Sequence, residues 1–191
     1  VLLLILGLVI FLGVHSVRMV APSWRDLQLM RRGVTAWKGL YAIVSLIGLG
    51  LIIYGYGQAR LDPVVLWALP VWTRHLAALM MLLAFICITA AYIPGNIIRA
   101  KVGHPMLAGV KTWALAHLIT NGTLADAVLF GSFLIWAILQ FRVSRRRDKA
   151  RGVVYVHLSA TRDVLVVVLG IASTALFALF LHHWLIGVRP F

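Results

Sequence analysis

The chain has 191 residues, 62% of them hydrophobic and 12% charged, where a soluble domain carries about 25% charged residues. With a mean hydropathy of +0.98, a water-soluble globule is excluded. Eighteen lysines and arginines against five acids give a formal charge of +13. These cations fall between apolar runs, so they read as a topology signal and no nucleic-acid partner is expected.

Apolar stretches of roughly 20 residues fill nearly the whole chain, which predicts an all-α fold, a polytopic integral membrane bundle of about six helices. No soluble domain remains, and residues 1–191 read as a single transmembrane domain. The first run, Val1 to Val14, continues through His15, Ser16 and Val17 and is closed by Arg18. It opens without a basic region and is followed by bulky and basic residues, so it reads as an uncleaved span and not as a signal peptide. The second span covers Gly39 to Gln58, where Gly48, Gly50, Gly55 and Gly57 predict close helix packing. The third covers Leu76 to Ile93 and ends at Pro94-Gly95. The Pro-broken stretch before it, Val64 to Trp72, is expected along the interface with Trp67 and Trp72 as anchors. The fourth, Pro105 to Thr120, is short and bounded by Asn121-Gly122; the fifth is Leu124 to Phe141 and the sixth Val164 to Ile186. Ala21 to Lys38 and Arg142 to Asp163 are the two long connectors, and neither can bury a core. Cys87, the single cysteine, lies in an apolar run, so neither an intramolecular disulfide nor a thiolate metal cluster is available.

Basic loops are retained on the cytoplasmic side. Fifteen of the eighteen cations fall in the first, third and fifth connectors and their flanks, leaving only Arg60, Arg74 and Arg189 on the other side. A multi-pass protein of a bacterial inner membrane is expected, with both termini periplasmic.

Ionisable groups inside a span are costly, about 2.5 to 3.5 kcal/mol on insertion scales, so they line cavities or bind something. Of seven histidines, only His15 and His117 sit well inside predicted spans. In span four Pro105, Gly109, Trp113, His117 and Asn121 recur every four residues and form one helical stripe. Pro105 suits a first turn, and Gly109 admits either a neighbouring backbone or a flat ligand. Trp113 sets a large ring beside the His117 imidazole. Two readings stay open: polar helix contacts with the histidines bonded to carbonyls, or a haem ligated by neutral imidazoles from two helices. A c-type attachment is excluded because no Cys-x-x-Cys-His occurs, and zinc lacks nearby carboxylates or thiolates. Arg18, one turn from His15, reads as a topology anchor or as a propionate partner. Depth requires the two histidines to agree. His15 lies about 21 Å from the start of its span, and a hydrocarbon boundary near Lys111 brings His117 to the same level.

The run His104-Pro105-Met106-Leu107-Ala108-Gly109, then Trp113, Ala116-His117-Leu118 and Asn121-Gly122, resembles the signature of the NnrU family. His15-Ser16 and the terminal His182-His183-Trp184-Leu185-Ile186-Gly187 extend the likeness over the whole chain. The resemblance implies a bacterial inner-membrane protein linked with nitrite and nitric oxide reductase expression in denitrifiers, related to the plastid zeta-carotene isomerase, which carries a b-type haem. By that likeness His15 and His117 are the metal ligands of haem b. His104 matches a non-ligand histidine with a helix-start or substrate-side role, and Arg18, Trp113 and Gly109 complete the expected cofactor-binding set. Spacing agrees, since thirteen residues set His104 and His117 about 140° apart on a helix, too far to share one iron easily.

Whether the chain is an enzyme, a haem-dependent isomerase of a lipophilic substrate, or a nitric oxide-handling protein is not decided by the sequence. The contrasting expectation is a non-catalytic accessory or scaffold protein supporting respiratory reductases in the lipid bilayer. A more distant resemblance to isoprenylcysteine methyltransferases is weakened because no acid or tyrosine follows Asp163. Asp126 reads either as a proton-accepting group or as a helix-start carboxylate. His182 and His183 read as interfacial. No phosphate loop, Ser-His-Asp set or carboxylate pair occurs.

Overall fold

The computed structural model describes residues 1–190. In chain order its helices are α1 (Leu2–Val20), α2 (Pro22–Ala59), α3 (Trp72–Tyr92), α4 (Ile97–Val102), α5 (Pro105–Leu118), α6 (Leu124–Ala150), α7 (Ala160–Leu176) and α8 (His182–Ile186), with a π-helical turn, Phe177–Leu181, joining the last two. Helices α1, α2, α3 and α6 and the continuous run Ala160–Ile186 are long and apolar enough to cross a membrane. The protein is therefore an all-α polytopic membrane protein. The fourth expected span is the 14-residue α5, which at 1.5 Å per residue measures about 21 Å against a hydrocarbon core of about 30 Å.

The chain divides into two compact units, Val1–Leu69 with Asn121–Trp136, and Pro70–Thr120 with the residues from Ala137 onward. In the first, α1 and α2 pack antiparallel with backbones nearly touching. A Cβ on Gly7 would lie 2.6 Å from the Ile52 nitrogen, one on Gly48 would lie 2.8 Å from the Phe11 nitrogen, and one on Gly55 would strike the Leu4 nitrogen. Small residues permit this approach, which is how helices gain contact in lipid without a hydrophobic drive. Gly50 and Gly57, also expected to pack, face open space. Gly33 interrupts α2 with φ 77° and ψ 162°, conformations that glycine adopts without strain. Trp24 and Trp37 meet edge-on across that break, 5.8 Å apart. The stretch 64–67 is extended and not helical. Leu66 and Trp67 donate backbone N–H groups to the Gly122 carbonyl and Leu124 donates to Val64, around a single antiparallel bridge between Val65 and Thr123. The chain entering α3 and the chain leaving α5 thus meet.

In the second unit α3 is the central helix. Helix α5 runs back along it with Gly109 against the Ala84 carbonyl and Ile88, and α7 packs through Gly170 onto Ile86. Helix α3 ends at Tyr92, just before the expected Pro94-Gly95 stop. The following turn is locked by Asn96, which is fully buried. Its amide donates to the carbonyls of Ala90 and Ile93 while its oxygen accepts from Arg99 N at 2.7 Å, capping α4. The connector 151–159 is fixed to this turn: Leu158 N donates to the Gly95 carbonyl at 2.9 Å, and the Arg162 guanidinium donates to the Pro94 carbonyl at 2.6 Å. The sixth expected span begins four residues earlier than Val164, at Ala160, and contains the π-turn. Most large aliphatic side chains on α1, α2, α3 and α7 are exposed, as surfaces that meet hydrocarbon must be.

Candidate functional site

His15 lies in the last third of α1 in the first unit, and His117 near the end of α5 in the second. Both use one local device. Nδ1 of His15 is 2.6 Å from the Phe11 carbonyl and Nδ1 of His117 is 2.9 Å from the Trp113 carbonyl, each four residues back on its own helix. A carbonyl oxygen only accepts, so Nδ1 carries the proton in both rings and the neutral imidazole keeps its lone pair on Nε2. Both rings also pack on the aromatic residue four positions earlier: Phe11 stacks on His15 at 4.2 Å and 27°, and Trp113 lies 5.3 Å from His117 at 51°. The tautomer and ring plane of each are thereby set, as histidines that ligate metals through Nε2 require.

Around His15 the first unit builds an aromatic box. Tyr41 of α2 approaches to 5.1 Å and Trp136 of α6 to 6.1 Å at 87°, while Phe133 lies 5.8 Å from Phe11. Sequence reasoning missed Tyr41 and Trp136, because a span's periodicity does not say which other helix its polar face will meet. Arg18 stands in the last turn of α1, one turn beyond His15.

The stripe on α5 faces α3, but it has four members and not five. The helix stops at Leu118, so Asn121 falls in the following turn. Gly109 serves the close backbone approach to α3. Trp113 lines an apolar cavity of about 210 Å³ with Met81, Ala84, Phe85, Ile88, Val110 and Phe177 of the π-turn. Lys111 extends toward the helix start, its Nζ 3.8 Å above the centre of the Phe141 ring, in accord with a charged head reaching for the boundary.

His104 takes the helix-start place: it is the residue before Pro105, whose ring occupies the first turn of α5. Its Nε2 is 2.6 Å from Asp148 Oδ2, and Tyr155 donates its hydroxyl to the same oxygen at 2.5 Å. Asp148 is only 9% exposed, the one acid within the basic run 142–151. That isolation among cations was the signal available in the sequence. Burial and the hydrogen bond to Asp148 push the Tyr155 hydroxyl above the ordinary tyrosine range, keeping it a donor. Gly103, with φ 78°, leaves room for the Arg145 guanidinium beside Tyr155. The cluster clamps the start of α5 to the end of α6. Asp148→Asn is expected to lower stability by about 1 to 2 kcal/mol, by weakening two hydrogen bonds to a charged acceptor. Tyr155→Phe removes one of them and should lose about half as much, measured by thermal unfolding in detergent.

Asp126 is 6% exposed and resolves as a helix-start carboxylate. It accepts from Thr123 N at 3.1 Å, Thr123 Oγ1 at 2.6 Å and Tyr56 OH at 2.5 Å, while its own N–H is 3.2 Å from Thr123 Oγ1. This is a reciprocal capping arrangement. His182 Nδ1 bonds the Val188 carbonyl at 2.7 Å at the exposed end of α8. Among the described residues, no group of three or more His, Cys, Asp or Glu is placed to hold a metal ion.

No curated protein and no solved structure matches the chain. The model of the NnrU protein family matches residues 3–190, nearly its full length, and the chain belongs to that family.

Proposed function

We propose that the protein binds one b-type haem through His15 and His117 and acts in nitrite or nitric oxide metabolism, or as a haem-dependent isomerase of a lipophilic substrate. The observation that carries this reading is the paired device on α1 and α5: two intramembrane imidazoles, each with Nδ1–H committed to the carbonyl four residues back and the lone pair on Nε2. The donor set would suit iron in a macrocycle, which two neutral imidazoles, His15 and His117, would hold. The aromatic rings around His15 in one unit, and the tilted Trp113 ring beside His117 in the other, each set a flat apolar surface next to the imidazole. When bound, the haem supplies a redox-active iron that takes up a diatomic molecule or polarises a double bond. The chain's own contribution is to fix both imidazole planes and to exclude water with Phe11, Tyr41, Trp113 and Trp136. With fifteen of eighteen cations in alternate connectors, we place the protein in a bacterial inner membrane with both termini periplasmic.

A second reading has one observation in its favour. Ser16, Thr112 and Thr174 also bond carbonyls four residues back, so the histidines would serve equally as polar packing groups of an accessory protein for respiratory reductases. Titration of the dithionite-reduced, detergent-purified protein with nitric oxide separates the two. A stoichiometric shift of a Soret band is expected; a nitric oxide-insensitive protein that still carries haem would favour the isomerase branch, and a colourless protein would favour the accessory one.

A further inference from the structure

Helices α3 and α5 touch where Gly109 meets the Ala84 carbonyl, yet a cavity of about 210 Å³ lies open beside that contact. Its walls come from α3, α5 and the π-turn, and every lining side chain is aliphatic, aromatic or a thioether. An apolar void of this kind stays dry, and a dry void forfeits dispersion contacts along its whole lining. Within a bilayer, packing contacts and not the exclusion of water hold helices together, so an empty cavity weakens the force on which the unit depends. Its volume is below the range of about 300 to 1,000 Å³ typical of sites for drug-sized ligands, which selects a slender occupant over a ring system. The α3 wall runs from Met81 to Ile88, about 10 Å along the helix axis, inside the apolar span Trp72–Tyr92. A slender apolar body at that depth is a hydrocarbon chain. The π-turn is a second and independent pointer. In it the His182 N–H bonds the Phe177 carbonyl five residues back, a rare geometry found frequently at functional sites. Here it sets Phe177 against Phe85, ring centroids 5.5 Å apart, as one wall of the cavity.

We propose that this cavity seats one acyl chain of a membrane lipid, held against Trp113, whose ring lies 5.3 Å from His117. All of its lining belongs to the second unit, and the seat needs no haem, so it stands apart from the function proposed above. Trp113 is then the partition between a lipid chain and the His117 imidazole.

The test uses the full chain in vesicles of phosphatidylethanolamine and phosphatidylglycerol carrying a trace of phosphatidylcholine with a diazirine on its acyl chain. Irradiation and mass spectrometry map the labelled residues. Leu79 and Leu83, 56% and 49% exposed, lie on the opposite face of α3 at about 100° per residue and report ordinary contact with bulk lipid. Stronger labelling of Met81, Phe85 and Ile88 than of these two leucines is expected. It should fall about tenfold in Val110→Trp, which fills the cavity and removes roughly ten atom contacts from the chain. Met81→Trp fills it from the α3 wall, and thermal unfolding of both variants checks that they fold. Wall labelling no stronger than at Leu79 and Leu83, or undiminished in a folded filled variant, would overturn the seat and leave the haem reading standing.

Discussion

Replacing His15 or His117 by alanine is expected to convert a six-coordinate haem spectrum into a five-coordinate or haem-free one, with haem retention falling at least tenfold. Even outer partners of metal ligands change affinity by about 10- to 100-fold, and an axial ligand should matter no less. The two variants should behave alike because the residues share the same chemistry: Nδ1 held by a carbonyl, Nε2 carrying the lone pair, and an aromatic ring four residues back. His104→Ala provides the contrast. His104 is engaged by Asp148, so its loss should reduce stability while the haem spectrum keeps its coordination. Pyridine haemochrome assay and thermal unfolding of the same preparations read the two effects separately. Equal spectral loss in all three variants would mean that the histidines act through folding and not as ligands.

The second large effect is expected at the seam between α1 and α2. Gly55→Val places a branched side chain where even a Cβ meets the Leu4 backbone, and no rotamer relieves a backbone clash. Stability should fall by about 3 kcal/mol, the upper end for overpacking. Gly7→Val should act similarly, since its Cβ would lie 2.6 Å from Ile52 N. Gly50→Ala and Gly57→Ala are expected to be neutral or to stabilise by about 0.5 to 1 kcal/mol, because nothing lies near them and alanine is the better helix former. Far-UV circular dichroism during detergent unfolding measures all four. Similar losses at Gly50 and Gly55 would contradict the assigned seam.

That seam shows what a sequence can and cannot carry. Gly48 and Gly55 are seven residues apart and share a face, and so do Gly50 and Gly57. The pattern within α2 announces close packing, but the choice between the two seams depends on Gly7 and Phe11 of α1, outside any window on α2. The spans themselves were legible because a bilayer demands long apolar runs, and the α5 stripe was legible because helical spacing is local. The break at Asn121 was not, since the helix ends by the geometry of the 119–123 turn and its pairing with 64–67. Asp148 was hidden by the charge run around it, where six cations read as topology and drew attention from the single acid. The π-turn at Phe177–Leu181 has no marker among its five apolar residues. Around His15, the imidazole was visible as an ionisable group inside a span, whereas Tyr41 and Trp136 reach it from α2 and α6 and required the tertiary structure.

The central claim, that the chain carries haem between intramembrane imidazoles, is tested most directly by the absorption spectrum of the detergent-purified wild-type protein, oxidised and then dithionite-reduced. The account expects a Soret band at one haem per chain, with sharp bands on reduction characteristic of low-spin bis-imidazole iron. A protein that stays colourless after haem is supplied during expression would contradict it, leaving His15 and His117 as polar packing groups of a membrane scaffold.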